Sequence, residues 1–99
     1  NKRTAADGKL DFHDRTRNLY NLIRGVTRPF PGAFCFCNGE KITVWIAHPF
    51  DEMLDFSMYA PGEIIDIFDK KLIVRTLDGS LLVEDYESEI ELEPGMLLE

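Results

Sequence analysis

Apolar residues along this chain change their period once, and the change divides it into a helix and a β region. From Leu19 they recur at Leu22, Ile23 and Val26, the i, i+3, i+4, i+7 spacing of one helix face. The spacing predicts a helix from about Arg15 to Val26 with Asp14 as its N-cap. It must end ahead of Pro29, because the residue before a proline avoids the helical region. Beyond Pro31 the period shortens. Residues 33–37 and 40–47 flank Asn38-Gly39, the dipeptide that best tolerates the positive φ angles of a two-residue hairpin turn. Runs at 63–68, 71–76 and 80–87 read as three more strands, separated by Asp69-Lys70 and Leu77-Asp78-Gly79. Ile90 and Leu92 then alternate with glutamates until Pro94-Gly95 breaks the pattern. One helix ahead of five short antiparallel strands predicts a mainly β, α+β domain built as a small closed or half-closed barrel.

Two connections carry more information than ordinary loops. Pro29, Pro31 and Gly32 make a stiff corner between helix and first strand. Each proline fixes a φ angle, and the glycine permits a bend that a Cβ would resist, so the corner sets the angle of helix to barrel at low entropic cost. The segment 48–61 holds Phe50, Met53, Leu54, Phe56, Met58 and Tyr59. That is too apolar for a solvated loop, and it is expected to fold down on the core.

At 99 residues the chain is one domain with a modest core. No apolar run approaches the ~20 residues of a membrane-spanning helix, and residues 1–9 have no apolar stretch of the signal-peptide kind. Charge is distributed unevenly. Residues 1–28 carry seven basic and three acidic side chains, whereas residues 29–99 carry four basic and fifteen acidic ones. From Leu77 onward there are eight acids and no base. Such a surface repels a phosphate backbone, whose binding depends on Lys and Arg displacing counterions, so nucleic acid is disfavoured as a partner. The basic first helix still suits a small anion or an acidic surface.

Candidate chemistry is sparse. Cys35 and Cys37 lie at i and i+2 on one strand, poorly placed to bridge each other, and fit a reducing, cytoplasmic setting. With His13 and His48 they match no zinc spacing, so no metal site is assigned, and two small apolar residues beside Phe34 and Phe36 is the simpler reading. Neither histidine has a nucleophile near it in sequence, and no catalytic residue is assigned. Asp11 and Asp14 suit a helix start, where orphan amides favour negative charge. Asn21 and Arg24 share a helix face, expected to bond the linker and the carbonyls of the proline corner. With Arg17 or Arg28, Arg24 has the alternative of meeting a phosphate or carboxylate on another domain. Trp45, Phe50, Phe56 and Tyr59 can form a stacking platform, but without accompanying bases they read better as core or domain contacts.

The order of several short motifs resembles the C-terminal domain of the formyltransferases. That family includes methionyl-tRNA formyltransferase and enzymes that formylate nucleotide-linked amino sugars. The motifs are Arg3-Thr4 with Asp7-Gly8, Leu10-Asp11-Phe12, Leu19-x-Asn21-x-x-Arg24 and Pro29-Phe30-Pro31-Gly32-Ala33. They continue through Lys41, Val44-Trp45, Pro61-Gly62-Glu63-Ile64 and Asp78-Gly79-Ser80-Leu81. The resemblance implies an OB-like five-stranded antiparallel barrel over residues 10–99, with residues 1–9 as an interdomain linker. It implies a partner in the same polypeptide, a Rossmann-like N-terminal domain that binds 10-formyltetrahydrofolate and carries the catalytic Asn, His and Asp. None of those three maps onto this chain, so the fragment binds no cofactor itself and is expected to be inactive alone. Asn21, Arg24, Arg28 and Trp45 are the residues expected at the domain interface or near substrate. A homodimer is compatible with this arrangement. The acidic barrel half departs from the basic tRNA-directed enzymes and favours an amino-sugar acceptor. The alternatives are a methionyl-tRNA formyltransferase or a free-standing OB-type binding module.

Overall fold

A computed structural model of the chain describes residues 8–27, 31–50 and 57–99. Its elements are α1 (Thr16–Gly25), β1 (Ala33–Cys37), β2 (Glu40–Pro49), β3 (Ile64–Phe68), β4 (Lys71–Arg75) and β5 (Ser80–Glu87). The helix buries Leu19 and Ile23 with Val26 just beyond its end, the stripe that the periodicity predicts. β2 runs two residues further than its sequence pattern suggested. Residues 51–56, including Met53, Leu54 and Phe56 of the apolar connection, lie outside the described residues.

The five strands form one antiparallel sheet in the order β1-β2-β5-β4-β3. Asn38 and Gly39 take φ of 52° and 83°, and Asp69 and Lys70 take 50° and 60°, so both hairpins close on two left-handed residues, as the twist of the flanking strands requires. β2 is the long strand. Its first half pairs with β1 and its second with β5, with Thr43 and Val44 in both ladders. The change of partner occurs at two bulges. Between Val44↔Tyr86 and Ile46↔Asp85 the extra residue is Trp45, and between Ile46↔Asp85 and Ala47↔Val83 it is Glu84. Bulges add local twist and bend, which is how a flat ladder is curled toward a barrel.

Within the described residues no direct ladder joins the outer strands β1 and β3; the C-terminal segment spans the gap. Gly95 and Met96 bond Ile64, and the Leu98 amide donates to the Gly62 carbonyl at 2.8 Å. Glu99 then exchanges two backbone bonds with Phe36 on β1, at 2.7 and 2.8 Å. The Leu10 amide covers the next acceptor along β1, the Phe34 carbonyl, at 2.8 Å. Backbone groups of an exposed edge are thereby satisfied by the two ends of the domain. The core is a single cluster inside this half-closed barrel, with Ile42, Val44, Ile64, Leu72, Val74, Leu81 and Val83 from the strands against Leu19 and Ile23 of α1.

Candidate functional site

The helix starts on a non-helical Arg15 (φ −73°, ψ 150°) whose side chain makes no capping bond. The expected cap, Asp14, does not serve. Its carboxylate instead accepts from the Arg15 amide and the Asn18 side chain, both at 2.8 Å. The first helical amide, that of Thr16, donates to Asp78 in the β4–β5 turn at 2.9 Å, across 62 residues of sequence. The Thr16 hydroxyl also donates to Asp78, at 2.8 Å, and so must accept from the buried Thr76 hydroxyl 2.6 Å away. A carboxylate here meets orphan amides and the positive end of the helix dipole. The Thr16 amide bond is the chief reason that the Asp78 carboxyl lies below its ordinary pKa. Sequence spacing could not reveal this junction. Its only trace was the Asp78-Gly79-Ser80-Leu81 motif.

Beyond the other end of the helix, Gly32 lies beneath the Trp45 indole. A Cβ on Gly32 would lie 2.8 Å from that ring and 3.0 Å from the Thr43 methyl, at a φ of +95°. Only glycine accepts both the conformation and the approach. The Trp45 carbonyl, turned away by the bulge, accepts from the Thr27 hydroxyl at 3.3 Å. Trp45 is half-buried and ties Thr27 and Gly32 to β2. The corner residues 28–30, and with them Arg28, lie outside the described residues.

Asn21 and Arg24 are expected to bond linker and corner residues that lie, at 1–7 and 28–30, outside the described residues. Both are exposed, and they bond each other, Arg24 Nη2 donating to Asn21 Oδ1 at 2.8 Å. The Arg24 guanidinium lies 4.7 Å from the Tyr20 ring centroid. Tyr20 leans on His48 with centroids 6.0 Å apart, and His48 Nε2 stands 3.3 Å from Glu84 Oε2. The bulge that displaces Glu84 from the ladder brings helix, β2 and β5 to one polar seam. Its groups are a cation–π pair, an imidazole and a carboxylate.

The remaining reactive types are accounted for structurally. Cys35 and Cys37 are free and buried. Burial pushes the Cys35 thiol up to about 12, and it raises Cys37 as well, with the Glu99 charge adding to it. Neither is a thiolate at neutral pH. His13 Nδ1 sits 3.2 Å from Asp11 in solvent. Among the described residues no group of three or more His, Cys, Asp or Glu could hold a metal ion, and no helix is long and apolar enough to cross a membrane.

One helix packed on a half-closed, five-stranded antiparallel barrel thus defines a small, mainly β domain of the α+β class. The chain belongs to the formyl transferase C-terminal domain family, whose model matches residues 2–92. It is 34% identical over 83 residues to the methionyl-tRNA formyltransferase of Ruminiclostridium cellulolyticum, a match covering 81% of this chain and 25% of that protein. The chain therefore spans about a quarter of the length of that relative. In fold it is similar to a HypX variant from Aquifex aeolicus, with a TM-score of 0.72 at 20% identity, covering 90% of this chain and 15% of the other.

Proposed function

We propose that this chain is the accessory C-terminal domain of a 10-formyltetrahydrofolate-dependent formyltransferase of the cytoplasm, whose acceptor is the amine of a nucleotide-linked amino sugar. The formyl donor and the reaction belong to a Rossmann-like domain of the same polypeptide. This part contributes a rigid surface joined to that domain through residues 1–9. The choice of acceptor rests on charge. Glu84, Glu87, Glu89, Glu91 and Glu93 are all exposed, and no basic residue follows Arg75. A transfer RNA brought against this surface would meet carboxylates where counterion release needs Lys and Arg. A sugar nucleotide carries only two phosphates and need not touch it.

A second reading is favoured by one observation: the relative 34% identical to the chain carries the name methionyl-tRNA formyltransferase. The two are separated by assaying the intact polypeptide with 10-formyltetrahydrofolate against both acceptors. Formylation of nucleotide-linked 4-amino sugars, with methionyl-tRNA inert, is the expected result. Efficient, salt-sensitive formylation of methionyl-tRNA would replace it with the second reading.

A further inference from the structure

The outer face of α1 is a cationic stripe with no carboxylate partner among the described residues. Arg17, Asn21 and Arg24 fall at i, i+4 and i+7, within about 60° of one another around the axis and opposite the buried Leu19, Ile23 and Val26. All three are exposed. The helix itself contains no acidic residue. Among the described residues neither arginine has a carboxylate within ion-pair distance, although the chain is acidic overall, with a net charge of −7.

Arg24 is also held in place. Asn21 takes one of its donors at 2.8 Å, and Tyr20 supports the guanidinium plane at 4.7 Å. One of its five donors is used on an exposed side chain whose rotamer freedom the two contacts reduce. This is the arrangement of an interface anchor, for which ordering costs are reduced before contact.

We propose that this stripe is the docking surface for a carboxylate-bearing face of the catalytic domain in the same polypeptide. The inference rests on the accessory-domain reading above. Three observations favour a protein over a small phosphate ligand. The stripe extends about 10 Å along a convex helix, whereas small-molecule sites are concave. Three grooves, one beside Tyr86 and Ile90, one beside Lys41 and Glu87 and one beside Leu10 and Leu98, are lined without Arg17, Asn21 or Arg24. The relative matched by this chain has about three-quarters of its length outside the match, and α1 is the first element after the linker that would lead to it.

Arginine-selective modification with phenylglyoxal, read by mass spectrometry, tests this without relying on activity. Arg17 and Arg24 should react readily in the 99-residue chain and about tenfold more slowly in the intact polypeptide at low salt. The protection should be lost in 1 M NaCl. R17E/R24E in the intact polypeptide should expose the linker to protease while leaving the urea midpoint of the 99-residue chain unchanged, as expected of exposed positions. Equal modification in the two forms would overturn the docking surface and leave the acceptor assignment untouched. Protection seen only after transfer RNA is added would also overturn it, assigning the stripe to a polyphosphate. Protection together with methionyl-tRNA specificity would keep the docking surface and remove the amino-sugar reading.

Discussion

Asp78 holds the start of a helix that begins 62 residues earlier, and it does so with one carboxylate oxygen that accepts both the Thr16 amide and the Thr16 hydroxyl. Asp78→Ala leaves those donors and the buried Thr16–Thr76 hydroxyl pair without their acceptor. It should cost about 1 kcal/mol, within the range for loss of a helix cap, read as a lower urea midpoint. Asp78→Asn keeps an acceptor oxygen and should cost less. The sign of the pH dependence follows from the carboxyl's lowered pKa. A depressed native pKa stabilises the fold fully above the unfolded value of about 3.9 and loses that contribution as pH falls through the native one. The gap between wild type and Asp78→Asn should therefore be constant from pH 6 to 8 and close below about pH 4. Cys35 gives a second residue-scale outcome. Its thiol is fully buried with a pKa raised to about 12. A disulfide exchange reagent should label it only as fast as the native state opens, and denaturant should accelerate labelling in step with unfolding.

At the scale of elements, the C-terminal segment decides whether the sheet is open or closed. Gly62 has φ +90°, and a Cβ there would collide with the Leu98 carbonyl, whose amide donates to the Gly62 carbonyl. Gly62→Ala should destabilise the domain by about 2 kcal/mol or more, from left-handed strain and the displaced strap together. Thermal unfolding checks this. Removing residues 95–99 should act differently. It bares the Phe36 and Ile64 backbone groups that the strap bonds, and an uncovered edge invites pairing with another chain. Concentration-dependent association on size exclusion is the expected outcome, with loss of the protected Phe36 amide by hydrogen exchange. The seat of Trp45 on Gly32 belongs to the same scale, since it joins the helix end to β2 through a bulge instead of a ladder bond.

Over the whole molecule, charge is polarised between a cationic first helix and an anionic β5 and tail. The pattern does not hold the fold together. It governs what can approach. The amino-sugar proposal expects no retention of transfer RNA at physiological salt, and replacing Glu87, Glu89, Glu91 and Glu93 with Lys should create it. Each phosphate contact so created should steepen the log–log salt slope by about 0.9 for duplex regions. Unchanged retention would show that this surface lies away from any bound nucleic acid, and the electrostatic case for an amino-sugar acceptor would fall.

Much of this architecture could be read from one sequence because local rules decide it. The apolar period of Leu19, Ile23 and Val26 needs only helix geometry, and Asn38-Gly39 needs only the φ preferences of a two-residue turn. Five strands of suitable length after one helix then point to a small barrel. The family pattern was legible for the same reason, being carried by prolines, glycines and turn residues whose backbone demands are local. The tertiary structure alone decided what was paired across distance. It moved the helix cap from Asp14 to Asp78, placed the indole of Trp45 over Gly32 and gave residues 95–99 the part of closing strap. It also paired Arg24 with Asn21 and Tyr20 on the exposed face of the helix, a contact that sequence spacing alone did not single out. Periodicity reports which side of an element is buried. Which partner satisfies a given amide, or lies over a given glycine, depends on where the chain returns, and that is settled only when the whole core packs.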